Sequence, residues 1–291
     1  MSVDPITLTN VIISGILTGL VYGLMALGLS VIFGVARVVN FAHGEMMTIA
    51  MYLTVLLFSF FNVNPFLAVV PVAILFFFLG YFLQSKIIQP FITRPDHAQF
   101  MLLLAIAIIM TNSMLIIFGP DARSVSLDYL LESIELGPLL IDRGKLYAAF
   151  VAFGTATALF GLFRFTRTGT AIRACADNWL GAKVVGLNVK RLYAVAFGLG
   201  SACVAVAGSM LILLVELTPA IGPAYTLLAF VIVIVGGLGS MNGALIGGVL
   251  IGVSEALAGL FVTPSAKSMF SFALLIVVLL IRPRGLLGGK L

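Results

Sequence analysis

RFTRTGTAIRACADNWLGAKVVGLNVKR, residues 164–191, decides the fold. These 28 residues hold six of the chain's sixteen Lys and Arg residues: Arg164, Arg167, Arg173, Lys183, Lys190 and Arg191. Asp177 is their single acid. A Lys or Arg at the centre of a bilayer costs about 2.5–3.5 kcal/mol even on the lenient insertion scale. Six of them outweigh any apolar gain from the alanines and valines between them. The stretch therefore lies outside the hydrocarbon, and its positive charge assigns it to the cytoplasmic side. That placement sets the orientation of every span before and after it.

The apolar surroundings are just as decisive. The chain is 62% hydrophobic and 9% charged, with a mean hydropathy of +1.22, whereas a soluble domain carries roughly 45–50% apolar and about 25% charged residues. This composition is that of a polytopic membrane protein, whose lipid-facing backbone is satisfied only in helices or a closed barrel. Phe66–Phe82 and Met101–Phe118 lack the two-residue alternation of barrel strands, so the fold class is all-α. At about 20 residues per span, 291 residues leave room for no sizeable soluble domain. The whole of 1–291 reads as one transmembrane domain. Its net charge of +5 suits an anionic inner leaflet rather than nucleic acid. Cys175 and Cys203 read as small hydrophobes, not a disulfide framework. The N-terminal MSVDPITLTN has no basic region before its apolar run, which argues against a cleaved signal peptide.

Apolar segments run over Val11–Phe33, Met46–Phe61, Phe66–Phe82, Phe100–Phe118, Leu146–Phe163, Leu192–Leu214, Tyr225–Val235, Leu245–Leu260 and Met269–Ile281. Between the fourth and fifth, Gly119–Lys145 carries Asp121, Asp128, Glu132, Glu135 and Asp142 against Arg123, Arg143 and Lys145. Without a basic excess it suits the outer, periplasmic face. Arg282, Arg284 and Lys290 make a cytoplasmic tail. Counting from either anchor gives an outside N-terminus and a cytoplasmic C-terminus. Nine crossings are expected if Tyr225–Val235 spans, and eight full segments if it is half a helix.

Two interruptions break this pattern, at 34–45 and 236–244, and paired broken helices are a pointer to a transport pathway. The first holds Arg37, Asn40, His43 and Glu45. It reads either as a turn with a local ion pair at the cytoplasmic end of two helices, or as part of a gate or pathway lining. The second holds Gly236, Gly237 and Gly239, for which tight packing and a hinge are the alternatives. Gly15, Gly19 and Gly23, and likewise Gly239, Gly243 and Gly247, recur every four residues, as in close helix packing. Glu255 is an isolated carboxylate near the outer surface. Within 164–191, Thr170 is expected to cap a helix over Ala171–Val185 that ends at a left-handed Gly186, with Asn188 capping the next helix. Ala171, Ala174, Ala182 and Val185 would share its apolar face, suited to docking a partner or the inner leaflet. One His and one carboxylate are too few for a metal site. No nucleotide motif and no nucleophile–base arrangement occurs, so no catalytic residue, metal or cofactor is expected.

Three separated motifs carry a resemblance. They are Asn40-Phe41-Ala42-His43-Gly44-Glu45, Thr168-Gly169 through Arg173-Ala174 to Ala182-Lys183-Val184-Val185-Gly186-Leu187-Asn188, and Gly236-Gly237-Leu238-Gly239-Ser240 with Gly243-Ala244-Leu245-Ile246-Gly247-Gly248. Over about residues 11 to 288 the chain resembles the branched-chain amino acid ABC transporter permeases of LivH type. The resemblance implies a multi-pass permease of the bacterial inner membrane that pairs with a second, homologous permease. It also implies two cytoplasmic ATPases, which use the ATP, and a periplasmic substrate-binding protein. The family's ATPase-docking element maps to Arg173, Ala174, Asp177, Gly186 and Asn188. Asn178-Trp179-Leu180 departs from a stretch that is often charged in relatives. Relatives carry branched-chain amino acids, urea, amides or aromatic acids. A stand-alone secondary transporter or channel is the alternative, against which stands the absence of ionisable residues from Phe66–Phe82 and Met101–Phe118.

Overall fold

The computed structural model describes residues 4–92, 94–262 and 267–288; Lys290 of the basic tail lies outside them. The long helices are α1 (Pro5–Ala36), α2 (His43–Phe61), α3 (Pro65–Phe82) and α4 (Asp96–Phe118). After the short α5 (Asp128–Leu131) and the strands β1 (Ser133–Leu136) and β2 (Leu139–Asp142) comes α6 (Arg143–Phe165). The short helices α7 (Arg167–Asp177) and α8 (Trp179–Val184) follow. The chain closes with α9 (Val189–Leu211), α10 (Gly222–Gly236), α11 (Met241–Phe261) and α12 (Lys267–Ile281). β1 and β2 form an antiparallel hairpin that pairs Ser133 with Asp142 and Leu136 with Leu139. Among the described residues seven helices are long and apolar enough to cross a membrane, while α10 and α12 are apolar but shorter. The chain is an all-α, multi-pass membrane protein.

Local chemistry sets the helix ends. Asp4 accepts from the Ile6 amide and Pro5 opens α1; Asn64 accepts from the Phe66 amide beside Pro65 at the start of α3. Ser240 caps α11 by accepting from the Gly243 amide. The last turns of α3 widen and then tighten over Leu83–Phe91, where Pro90 ends the ladder.

The bundle is built around α1 and α9. Of their apolar stretches 72% and 83% are buried, against 17% for α4, which is therefore peripheral. Leu24, Leu27, Ile32 and Phe197 are fully enclosed at this centre. The glycine stripe of α1 packs as its spacing predicts, against α11. A Cβ on Gly15 would stand 2.8 Å from Val253 Cα, and one on Gly19 2.7 Å from Val249 Cα. The second stripe does not face the first. Gly243 and Gly247 pack on Gly236 and Ile232 of α10, and Gly248 and Gly252 of α11 meet α1 instead. Two glycine faces a residue apart let α11 lie tightly between both neighbours, and Gly239 belongs to neither.

The interruptions also differ from expectation. Residues 237–240 are not a break within a spanning helix but the turn of the α10–α11 hairpin, made by Gly237 at φ 108° and Gly239 at φ 78°. This turn lies beside Gly34 near the end of α1. Here the bundle also carries Arg37, α7 and α8, and we call it the basic end; the β1–β2 pair marks the opposite, hairpin end.

Candidate functional site

α1 stops at Ala36 and Arg37 takes a left-handed conformation, φ 53°. The chain then runs back along α1 rather than out from it. His43 Nε2 donates to the Met25 carbonyl at 2.9 Å, and Met25 lies eleven residues before the end of α1, about 16 Å at 1.5 Å per residue. The six residues 37–42, which span at most about 20 Å, bridge that distance. α2 thus starts deep inside the bundle. The sequence reading that set this patch at a water-exposed helix end is corrected: Asn40, His43 and Glu45 are all buried, and no ion pair with Arg37 forms. Asn40 Oδ1 accepts from the Ala42 amide at 3.1 Å and so folds the last turn of the returning segment.

A second return comes from the other end. Ser209 near the end of α9 bonds Thr54 of α2 at 2.9 Å. Gly222, which opens α10, instead packs on Glu45, with a Cβ position only 3.1 Å from Glu45 Cα. From Thr54 to Glu45 is about 13 Å along α2, so residues 212–221 lead the chain back inward. The paired Arg123 and Leu217 backbones, at 2.9 and 2.8 Å, hold this return against the loop after α4.

The first turns of α2 and α10 therefore meet inside the protein. A Cβ on Gly44 would overlap the Gly222 carbonyl oxygen, so this pair of glycines lets two backbones touch. Thr226 of α10 completes the junction. Its hydroxyl accepts from the Gly44 amide at 2.8 Å and donates to Glu45 Oε2 at 3.0 Å. Phe41 closes one side, edge-on to Phe100 at 4.6 Å and tilted on Phe230 at 5.1 Å. Among the described residues the one ion pair joins Arg143 to Glu132, at 2.7 Å. Among them Glu45 has no basic partner. No group of three His, Cys, Asp or Glu side chains comes together among these residues.

Gly236, Gly237 and Gly239 do not join this junction; they sit about 15 Å further along α10 from Thr226. Gly236 packs on Gly243 and Gly237 on Gly288, and Gly239 borders a cavity shared with α7. This cavity of about 390 Å³ is lined by Ile172, Arg173 and Asp177 of α7, by Gly239, Ser240 and Asn242, and by Ser30 and Gly34 of α1. The tail fastens the same place, Leu286 and Leu287 donating to the Val235 and Gly236 carbonyls, each at 2.9 Å.

At the basic end the expected single helix over Ala171–Val185 is two. Thr166, not Thr170, is the cap: its hydroxyl accepts from the Gly169 amide at 3.0 Å, while Thr170 turns its own back to the Thr166 carbonyl. Asn178 then ends α7 and caps α8 by accepting from the Gly181 amide at 2.9 Å. The break resets the helical phase. Ile172, Cys175 and Ala182 face inward, while Ala174 and Val185 of the expected apolar face are exposed. Gly186 is left-handed at φ 88° and Asn188 caps α9 at Arg191, both as expected. Arg173, Ala174, Asp177, Gly186 and Asn188 all lie on the surface. Burial pushes the Cys175 thiol up, away from thiolate chemistry. The apolar residues left exposed are large: Trp179 by 52%, Leu180 by 56%, Val184 by 81% and Val185 by 76%.

Thr226, Gly44 and Gly222 carry the junction; Thr226 and Gly222 were not singled out in the sequence, and Gly44 appeared there only within the Asn40–Glu45 motif. The Gly222-Pro223 pair was the available signal, because a Pro early in a helix marks its first turn.

The family described as the permease component of the branched-chain amino acid transport system matches residues 11–279. The chain is 29% identical over 297 residues to the high-affinity branched-chain amino acid transport system permease protein LivH of Salmonella typhimurium, covering 94% of each chain. It is 29% identical to BraD of Pseudomonas aeruginosa, over 95% of this chain and 94% of that one. It is also 27% identical to a probable LivH of Methanocaldococcus jannaschii, over 91% and 88%. The match runs through both inward returns, the α7–α8 pair and the α10–α11 hairpin, and on it the chain belongs to the branched-chain amino acid transport system permease family, a family of transport proteins and not of enzymes.

Proposed function

We propose that this chain is the permease subunit of an ABC importer and forms half of the pathway for branched-chain or related small amino acids. A second homologous permease supplies the other half. Two cytoplasmic ATPases bind and hydrolyse the ATP, and a periplasmic protein delivers the substrate. The basic end faces the cytoplasm with the C-terminus, and the hairpin end, with the N-terminus, faces outward from a bacterial inner membrane.

The observation that carries this reading is the exposed cluster Trp179, Leu180, Val184 and Val185 among the bases of 164–191. Large apolar side chains gathered on a charged, water-facing surface mark a protein interface. A capped two-helix element carries them, so the surface is stiff enough to be pushed. α7 and the 237–240 turn line one cavity, and that turn is continuous with α10. A shift of α7 moves α10 as a rod and is felt at its other end, where Thr226 holds Gly44 and Glu45.

Val184→Asp and Val185→Asp test it. Each is expected to cut co-purification of the ATPases and ATP-driven leucine uptake while leaving the yield of folded permease unchanged. Undiminished ATPase binding would refute docking by α8. One observation favours a stand-alone carrier instead, the carboxylate of Glu45 held inside the bundle. Leucine uptake into liposomes by this chain alone, without ATP, would establish that reading.

A further inference from the structure

Beside the α2–α10 junction a groove of about 360 Å³ opens on the flank of the bundle, within the usual volume of small-ligand sites, about 300–1,000 Å³. Leu104, Ala107, Ile108 and Thr111 of α4, spaced three and four apart, form one wall, and Asn112 extends it. Phe41, Glu45, Thr226 and Leu227 form the other. The surface is mainly apolar, with one carboxylate.

Two features separate this groove from lipid-facing surface. Glu45 is 3% exposed, lines the groove, and among the described residues has no cationic partner. A carboxylate enclosed in a spanning bundle calls for a counter-charge. Asn112 is exposed on α4, its amide using one hydrogen on the Ile108 carbonyl at 2.8 Å, and an unsheltered amide is unfavourable against hydrocarbon. Ile108 at 55% and Leu227 at 53% exposure leave the groove open on its outer side, where the second permease of the proposed importer would close it.

We propose that this groove holds the translocated amino acid, with Glu45 as counter-ion to its ammonium group. The remaining Asn112 amide hydrogen and the Thr111 hydroxyl donate to its carboxylate. Leu104, Ile108, Leu227 and Phe41 meet its aliphatic side chain. The pattern selects a small zwitterion with an apolar side chain over a neutral polar solute. This proposal rests on the permease reading and deepens it by assigning the recognition site.

The test uses the assembled transporter carrying Ile108→Cys, with both native cysteines already buried. The cationic reagent 2-aminoethyl methanethiosulfonate is expected to modify it about tenfold faster than the anionic 2-sulfonatoethyl analogue. Glu45→Gln abolishes that preference, Glu45→Asp keeps it, and leucine during ATP turnover slows the modification. In the transporter without the added cysteine, Glu45→Gln lowers leucine uptake about tenfold, the size of one lost charge-assisted contact, while the ATPases still co-purify. Equal rates for the two reagents, no modification by either, or unchanged uptake by Glu45→Gln overturns the proposal. Failure of the permease reading looks different: the wild-type complex then neither takes up leucine nor retains the ATPases.

Discussion

At the scale of single residues, Thr226 joins more partners than its size suggests. One hydroxyl serves the Gly44 amide and the Glu45 carboxylate. Thr226→Val keeps the shape and removes both bonds, leaving two enclosed polar groups unpaired, at about 1–3 kcal/mol. The purified protein is expected to melt several degrees lower, and Thr226→Ser to restore most of the loss. Glycines divide by what surrounds them. Gly19→Ala drives a Cβ into the α11 backbone and is expected to abolish the folded monomer in size-exclusion chromatography. Gly154 has nothing within 4 Å of its Cβ position, so Gly154→Ala should raise stability by about 0.5–1 kcal/mol. The α1 stripe was legible because close packing selects the smallest residue at a fixed spacing. Thr226 was not, because a lone threonine in an apolar run reads as a tolerated helix residue until the fold brings Gly44 to it.

At the scale of elements, α7 and α8 test how a cap is read. Thr166 and Thr170 are both plausible caps by residue type, and only the packing of Gly169 on Leu162 and Phe163 decides for the earlier one. Thr166→Ala should therefore cost about 1 kcal/mol of α7 stability, seen as faster amide exchange over Arg167–Asp177 with little change in global melting. Thr170→Ala should leave that exchange unchanged. The reverse order would assign the cap to Thr170. The charge of 164–191 made its exclusion from the hydrocarbon legible. The break at Asn178 was within reach of the same sequence, since Asn is among the strongest caps, but the apolar spacing of Ala171, Ala174, Ala182 and Val185 read as one helix face and masked it. The inward returns at 37–42 and 212–221 left little trace. Their direction is fixed by contacts to Met25, Arg123 and Glu45, all distant in sequence.

At the scale of the whole molecule, the proposed orientation predicts opposite labelling at the two ends. A membrane-impermeant maleimide should reach Glu135→Cys in intact spheroplasts and Val184→Cys only in inverted vesicles; the converse pattern would reverse the assignment of both ends. The two returns enter the bundle from opposite ends and bring two helix starts together, a relation the spacing of apolar segments does not encode. The tail adds an order of assembly. The carbonyls of Val235 and Gly236 that close α10 are met by the amides of Leu286 and Leu287, which follow α12 in the chain. The helix that carries Thr226 thus receives its terminal hydrogen bonds only after α11 and α12 have been made. A chain cut short before Leu286 would contain α1 to α12 and still lack this fastening, so the end of α10 is secured after those helices are in place and not as they form.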